Sequence, residues 1–310
     1  MSPMSGPDLS FEARNLAPMI FKESEKVFDS PDYFYELKFD GIRSLAYLDG
    51  KTDLVNKRGK LLNAIYPELA DLHACSKEKA LLDGELVLMR EGKPDFFELQ
   101  KRSLLSDSLK IEIQSKIHPV VYVAFDLLYW KDRFLIDEPL WKRKELLQEN
   151  IKEGKSLAIS RHIEGRGREL FAAAERMDLE GIVAKRKDSL YYPGKRTSVW
   201  LKMKVYEEED LLILGYVPKE NLIDLILGRF VKGRLEKAGS VPTGRIKEEI
   251  LAFAAKHPSA PLFPEPKEAV WMEPKLVGKV RYMMKTEKGG LRQPVFIGLR
   301  DDKFAEDLFA

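Results

Sequence analysis

One cysteine and four histidines in 310 residues leave this chain few routes to a cross-link or a structural metal. Cys75 has no partner for an internal disulfide, and five such ligands cannot make a zinc site of four cysteines or of two cysteines and two histidines. A reducing cytoplasm fits that usage. No stretch approaches the roughly 20 apolar residues of a membrane span. Met1 to Ser10 has neither the basic nor the apolar region of a secretion signal, so no membrane association is expected. Strong charge bias is missing too: the net charge is +2, and the 33% of charged residues nearly balance. With 44% hydrophobic residues, long disorder is not expected beyond the first ten positions.

The length is instead that of two domains, because single cores stop growing near ~250–300 residues. Up to about position 205, strand-like runs alternate with helical ones. Leu81 to Met89 and Val120 to Tyr129 read as strands, Arg168 to Met177 has helical spacing, and Trp200 to Val205 reads as a strand with its lysines on one face. The acidic run Glu207-Glu208-Glu209-Asp210 is expected to mark a hinge. Beyond it, Leu211 to Val217, Asp224 to Val231, Ala269 to Thr286 and Pro294 to Leu299 read as strands, with a helix around Ile246 to Lys256. That composition predicts a small barrel of the OB type. The expected class is therefore α+β, with residues 1–205 and 206–310 as the two domains.

The modest net charge hides two basic clusters. Lys185 to Lys204 holds seven Lys or Arg against Asp188 alone, and Lys275 to Lys303 holds eight against Glu287, Asp301 and Asp302. Basic runs often do no more than face water. Tyr191, Tyr192 and Trp200 within the first cluster shift the reading toward phosphate or nucleic-acid backbone contacts.

Six short segments carry the chemistry: Lys38-Phe39-Asp40-Gly41-Ile42-Arg43, Asp83-Gly84-Glu85, Phe125-Asp126, Glu180 to Lys185, Trp200 to Lys204, and Arg300 to Lys303. Together they supply an amine, further cations, two separated glutamates and an aromatic ring. A lysine with the ordinary pKa of about 10.4 is almost wholly protonated at pH 7, and bringing it to about 7–8 takes roughly 3–5 kcal/mol of bias against the ammonium. Arg43, Lys202 and Lys204 are the cations expected to supply it, with Gly41 admitting a phosphate-bearing ligand close to Lys38. Glu85 and Glu180 are candidate ligands of Mg²⁺ or Mn²⁺, since magnesium takes one or two carboxylates and completes its shell with water and phosphate. Phe125 offers a flat face to a purine.

In this order the segments resemble the motifs of the covalent nucleotidyltransferases, and specifically of the ATP-dependent DNA ligases. Ser189 to Ser198 resembles the ligase pattern before the last strand, and Val270 to Lys275 with Arg292 to Arg300 resembles the OB domain of the ligase component of bacterial end-joining ligase D. The resemblance implies an adenylation domain followed by an OB-fold, with ATP as cofactor and nicked duplex DNA as substrate. It implies that Lys38 attacks the α-phosphate, that Glu36 and Phe125 border adenine, and that Glu85 and Arg43 lie near the ribose and phosphate. Lys202 and Lys204 would bind the α-phosphate, Arg196 and Lys185 would belong to the nucleotide pocket, and Glu180 would hold the metal. Arg300 and Lys303 would orient the leaving pyrophosphate.

The family usually has Ser-Arg-Asn-Gly after the first motif, whereas Asn56-Lys57-Arg58-Gly59 stands here. Either Lys57 or Arg58 is then the contact to the nucleotide or the nick phosphate. The large helical DNA-binding domain of replicative ligases has no counterpart in these residues. The expectation is a minimal monomeric ligase for repair or end joining, cytoplasmic and associated with the nucleoid, with Ku or another repair protein as partner. An RNA ligase or a capping-type nucleotidyltransferase is the alternative, sharing the lysine chemistry.

Overall fold

The computed structural model describes residues 9–286 and 289–308. The start of the chain on which the signal-peptide reading rests, Met1 to Pro7 with Asp8, lies outside them, as do Glu287 and Lys288 of the second basic cluster. The chain divides between Val205 and Tyr206 into two compact units.

The first unit is built on two sheets. The larger follows the order Thr52–Asn56, Ile42–Leu48, Ala80–Arg90, Val120–Trp130, Arg133–Phe134, with Lys93–Pro94 added on Ala80–Arg90 and Leu157–Ile159 lying parallel to Val120–Trp130. Its two long central strands read as nearly unbroken apolar runs because both of their faces are covered. One face puts Leu82, Leu86 and Leu88 against the Pro67–Cys75 turn of 3₁₀ helix and the helices Phe96–Ser103 and Leu140–Asn150, through Leu69, Leu72, Leu99 and Leu147. The other puts Leu45, Leu81, Phe125 and Leu128 against Phe34 and Trp200 of the second sheet.

That second sheet has the order Ile20–Glu23, Arg196–Lys204, Gly181–Arg186, Tyr33–Leu37, His162–Glu164. Its far side is sealed by the helix Gly167–Arg176, whose Leu170 and Ala174 pack on Tyr35, Ile182, Ala184 and Met203. Gly181 is required where it stands. It has a φ of +137°, and a Cβ there would come within 2.1 Å of the Met203 carbonyl oxygen.

The second unit is one five-stranded antiparallel sheet, ordered Arg234–Thr243, Ile223–Val231, Glu207–Pro218, Val270–Tyr282, Val295–Leu299. Its first and last strands approach each other, so the sheet curls into a barrel. The helix Lys247–Lys256 contributes Ile250 and Ala254 to the core beside Leu225, Val241 and Met272.

The fold revises one sequence reading and adds one strand to it. The acidic run is not a hinge, because Glu207 to Asp210 opens the longest-paired strand of the barrel, opposite Lys279 to Tyr282. The strand Arg234–Thr243 went unread because it is charged, half exposed and interrupted by Gly239 and Pro242, features of an outer strand. Among the described residues no helix is long and apolar enough to cross a membrane.

Candidate active site

The site assembles on three neighbouring strands of the smaller sheet. Tyr33–Leu37 delivers Glu36 inward and ends at Lys38, Gly181–Arg186 begins just after Glu180, and Arg196–Lys204 carries Lys202 and Lys204. The Lys38 backbone N–H donates to the Gly181 carbonyl at 2.9 Å, which ties the lysine to the Glu180 segment. The facing sheet supplies Glu85 and Phe125.

Lys38 Nζ stands 2.5 Å from Glu180 Oε2 in a partly buried ion pair. Glu180 feels Asp40 as well as Lys38 and Lys204, and burial, the strongest influence, pushes its carboxyl up. Glu85 is pushed up further, to about 8, by burial against the opposing pull of Lys38 and Arg43, with Glu180 and Asp83 adding repulsion. Lys204 is pushed down by burial and by the neighbouring Lys202. Lys38, two carboxylates and Lys204 thus share one electrostatic field. Lys202 pairs with Glu23 at 3.3 Å.

The nearest partner of Lys38 is therefore a carboxylate, whereas the sequence reading set the cations Arg43, Lys202 and Lys204 around it. Arg43 is held by Asp83 in a two-pronged pair at 2.6 and 3.0 Å, and it also donates to the Met19 carbonyl at 2.6 Å. Its guanidinium lies over the rings of Phe21 and Phe125. Asp83 accepts a further bond from the Tyr191 hydroxyl at 2.7 Å. Arg43 in this arrangement fastens the wall of the pocket. Gly41 likewise serves the chain: a Cβ would meet the Leu86 carbonyl oxygen at 2.3 Å and Glu85 Cγ at 2.7 Å, so its missing side chain lets the Lys38 segment lie against the Glu85 strand.

Phe21, Glu36, Lys38, Glu85, Phe125 and Lys185 border one pocket. Lys185 is buried, with Nζ 3.0 Å from Glu36 Oε1 and 4.2 Å from the centre of the Phe125 ring. The Phe125 ring expected to meet a purine already has Lys185 and Arg43 over it. Arg196 is exposed at the start of its strand and donates to the Phe21 carbonyl at 2.7 Å. Lys57 and Arg58 sit exposed on the Asn56–Gly59 turn, which Asn56 caps through the Arg58 N–H. In the second unit, Arg300 and Lys303 both converge on Asp210, at 2.8 and 2.7 Å.

Three contributors carried no sequence signal. Lys144 and Ser160 both contact Glu36, yet a lysine in a helix reads as solvent-facing and a lone serine as a loop residue. Arg143 and Asp126 form an ion pair with both side chains 0% exposed, pinning the strand behind Phe125 to the helix Leu140–Asn150. Among the described residues no group of three or more His, Cys, Asp or Glu forms a ready cage for a metal. Magnesium does not need one. Two neighbouring carboxylates, one retaining its proton to about pH 8 until a cation compensates it, match the donor set such an ion takes beside phosphates.

Residues 16–204 match the family model described as the ATP dependent DNA ligase domain, and residues 219–303 match the ATP dependent DNA ligase C terminal region. The chain belongs to the ATP-dependent DNA ligase family. It is 32% identical, over 94% of its length, to the multifunctional non-homologous end joining protein LigD of Mycobacterium bovis, of which it spans 39%. It is 30% identical to the SPbeta prophage-derived DNA ligase-like protein LigB of Bacillus subtilis, covering 91% of this chain and 97% of that one. Among solved structures, mycobacterial DNA ligase D complexed with ATP and MES is 30% identical, with a TM-score of 0.57 over 95% of this chain and 98% of that one. The family fold, an adenylation domain with an OB-fold domain, accounts for both units.

Proposed function

We propose that this ligase seals nicks bearing a 5′-phosphate and a 3′-hydroxyl in duplex DNA, through a lysyl-AMP intermediate on Lys38, and that it serves DNA end joining or repair. The observation that carries the reading is the convergence of Lys38, Glu180, Glu85 and Lys204 in one field at the mouth of a pocket walled by Phe125 and Glu36. The likeness to a ligase D solved with ATP supports the nucleotide.

In the first step Lys38 Nζ gives up a proton and bonds to the α-phosphorus of ATP, the bond to the bridging oxygen breaks, and pyrophosphate leaves with the electron pair. Lys202 and Lys204 balance the charge on the α-phosphate, and the same cations favour the neutral amine. Glu85 and Glu180 would hold Mg²⁺, which neutralises phosphate charge when bound. Lys38 must then exchange its ion pair with Glu180 for the phosphate. In the second step a nick 5′-phosphate oxygen takes the AMP and Lys38 recovers its proton. In the third the 3′-hydroxyl attacks that phosphate and AMP departs. Arg300 and Lys303 orient pyrophosphate in the first step, releasing Asp210 to do so, and Ku is the partner that would direct the enzyme to ends.

Incubation with α-labelled ATP and a divalent cation, followed by nicked duplex, tests the whole sequence. A labelled protein that passes its label to DNA is expected. Label that never leaves the protein, or label passed only to RNA nicks, would reject the reading.

A further inference from the structure

At the wall of the pocket, Glu36 sits in a charge cluster of which Lys144 and Ser160 belong to no motif. It is 2% exposed. Lys144, from the helix Leu140–Asn150, places Nζ 2.6 Å from Glu36 Oε1. Lys185 Nζ lies 3.0 Å from Oε1 and donates to Oε2 at 3.1 Å, and Ser160 Oγ donates to Oε2 at 2.7 Å. Glu36, Lys185 and Ser160 line the pocket, whereas Lys144 stands outside it.

Lys144 is itself 2% exposed, and its ammonium makes no well-directed hydrogen bond among the described residues. Lysine is among the residues least often buried, and an ammonium taken from water without hydrogen bonds is costly. Replacing the whole pair by apolar side chains would serve packing at least as well. Among the described residues its one close partner of opposite charge is Glu36.

Glu36 and Lys185 present a hydrogen-bond acceptor beside a donor. Adenine offers the complement, a 6-amino donor beside a ring-nitrogen acceptor, while guanine offers two acceptors, O6 and N7, on the corresponding edge. A carboxylate accepts from the amino group and repels O6. A protonated carboxyl donates to O6 as well, and the distinction between the bases is lost. Burial works against the anion, and Lys144 followed by Lys185 outweighs it, holding the Glu36 carboxyl below its usual range. Lys185 alone is a weak guarantor, since burial brings its own ammonium down to about 8.

We propose that Lys144 is a positioning residue for nucleotide choice, anchoring the Glu36 carboxylate so that the pocket takes ATP and rejects GTP. This rests on the reading of the pocket as the ATP site, and adds to it a residue outside every nucleotide motif that fixes the base specificity.

The test measures self-nucleotidylation of the full chain with α-labelled ATP and GTP over a range of concentrations. The proteins compared are wild type, Lys144→Met, Lys144→Arg, Glu36→Gln and the Lys144→Met/Glu36→Gln double variant. Losing a hydrogen bond to a charged acceptor predicts that Lys144→Met lowers the ATP:GTP ratio of kcat/KM by roughly ten- to a hundredfold. The loss falls chiefly on KM for ATP. Lys144→Arg retains the preference, and Lys144→Met added to Glu36→Gln changes the ratio no further.

Equal losses with ATP and GTP in Lys144→Met, or a ratio that falls by the same factor with or without Glu36, would overturn the proposal. Melting curves establish that each variant is folded at the assay temperature. If Lys144→Met is not, Lys144→Gln is judged by the same criteria. A wild-type protein that takes neither nucleotide would reject the pocket reading itself, a result distinct from both of these.

Discussion

Replacing Glu85 by glutamine should make the protein more stable at alkaline pH while removing its activity. Burial is the main reason that the Glu85 carboxyl is pushed up to about 8, from an ordinary value of 4.5. The folded state therefore holds this proton more tightly than the unfolded state does. The resulting stability is fully present below about pH 4.5, drains away as pH rises toward 8, and is gone above it. At about 1.4 kcal/mol per pK unit, the shift sets a ceiling near 5 kcal/mol, and partial exposure of the side chain argues for about half of that. Glutamine does not titrate. The two melting temperatures should differ little near pH 5 and separate by roughly 5–10 °C near pH 9, at about 2–4 °C per kcal/mol for a domain of this size. Every other titrating group is common to both proteins, so the difference reports Glu85 and the groups coupled to it. Glu180 shares the field, so the proton belongs to the pair. Scanning calorimetry or dye melts from pH 5 to 9 decide the matter, with adenylation measured alongside. Melting curves that run parallel across the range would refute the argument, since the carboxyl would then be no harder to ionise in the fold than outside it.

Lys38→Ala is expected to leave the melting temperature within about 2 °C of wild type and to abolish the labelled adenylate; a normal band on the gel would move the nucleophile elsewhere. Removing Arg300 and Lys303 together should block self-adenylation yet spare sealing of a nick already adenylated at its 5′ end, and equal loss in both assays would assign these residues to DNA binding or to the barrel. Asp210→Asn should lower KM for ATP by freeing the same two cations, and an unchanged or raised KM would count against competition between Asp210 and pyrophosphate. Arg143→Met strands a buried aspartate and should cost about 3–5 kcal/mol, read as a lowered urea midpoint, whereas a change under about 1 kcal/mol would mean that Asp126 finds another partner or takes up a proton. Salt should weaken nick binding less than the basic clusters alone suggest. Lys185, Arg186, Lys187 and Lys202 of the first cluster, and Lys279, Lys285, Arg300 and Lys303 of the second, already face carboxylates. With about three phosphates neutralised, a fourfold rise in salt lowers affinity roughly fortyfold, and a loss of three decades would show that these pairs open onto DNA.

What the sequence made legible was whatever it had to state locally. The apolar runs at Leu81 to Met89 and Val120 to Tyr129 announced their strands, and the motif lysines and glutamates announced a nucleotide because those residue types sit in fixed order near turns. What it could not state was pairing across long separations. Arg43 lay five residues from Lys38 and was read as its companion, but Asp83 holds it from the adjoining strand. Charge summed along the chain overlooked the acids opposite, as the strand Glu207–Pro218 shows by setting four carboxylates beside the strand that carries Lys279 and Arg281. Lys144 was invisible for the same reason, since nothing in a helical stretch of Lys, Arg and Glu marks one lysine as buried.

The sheet that carries Lys38 has a consequence for when the protein becomes competent. Its strand order joins Ile20–Glu23 to Arg196–Lys204 and places Gly181–Arg186 beside Tyr33–Leu37. The opening and closing stretches of the unit are thus sheet neighbours, with most of its length looped between them. No growing chain shorter than about 200 residues contains the strand that carries Lys202 and Lys204, and pairings of such separation form late because the loop must close first. A nascent or truncated chain therefore presents a lysine and a glutamate without the cations that complete the site.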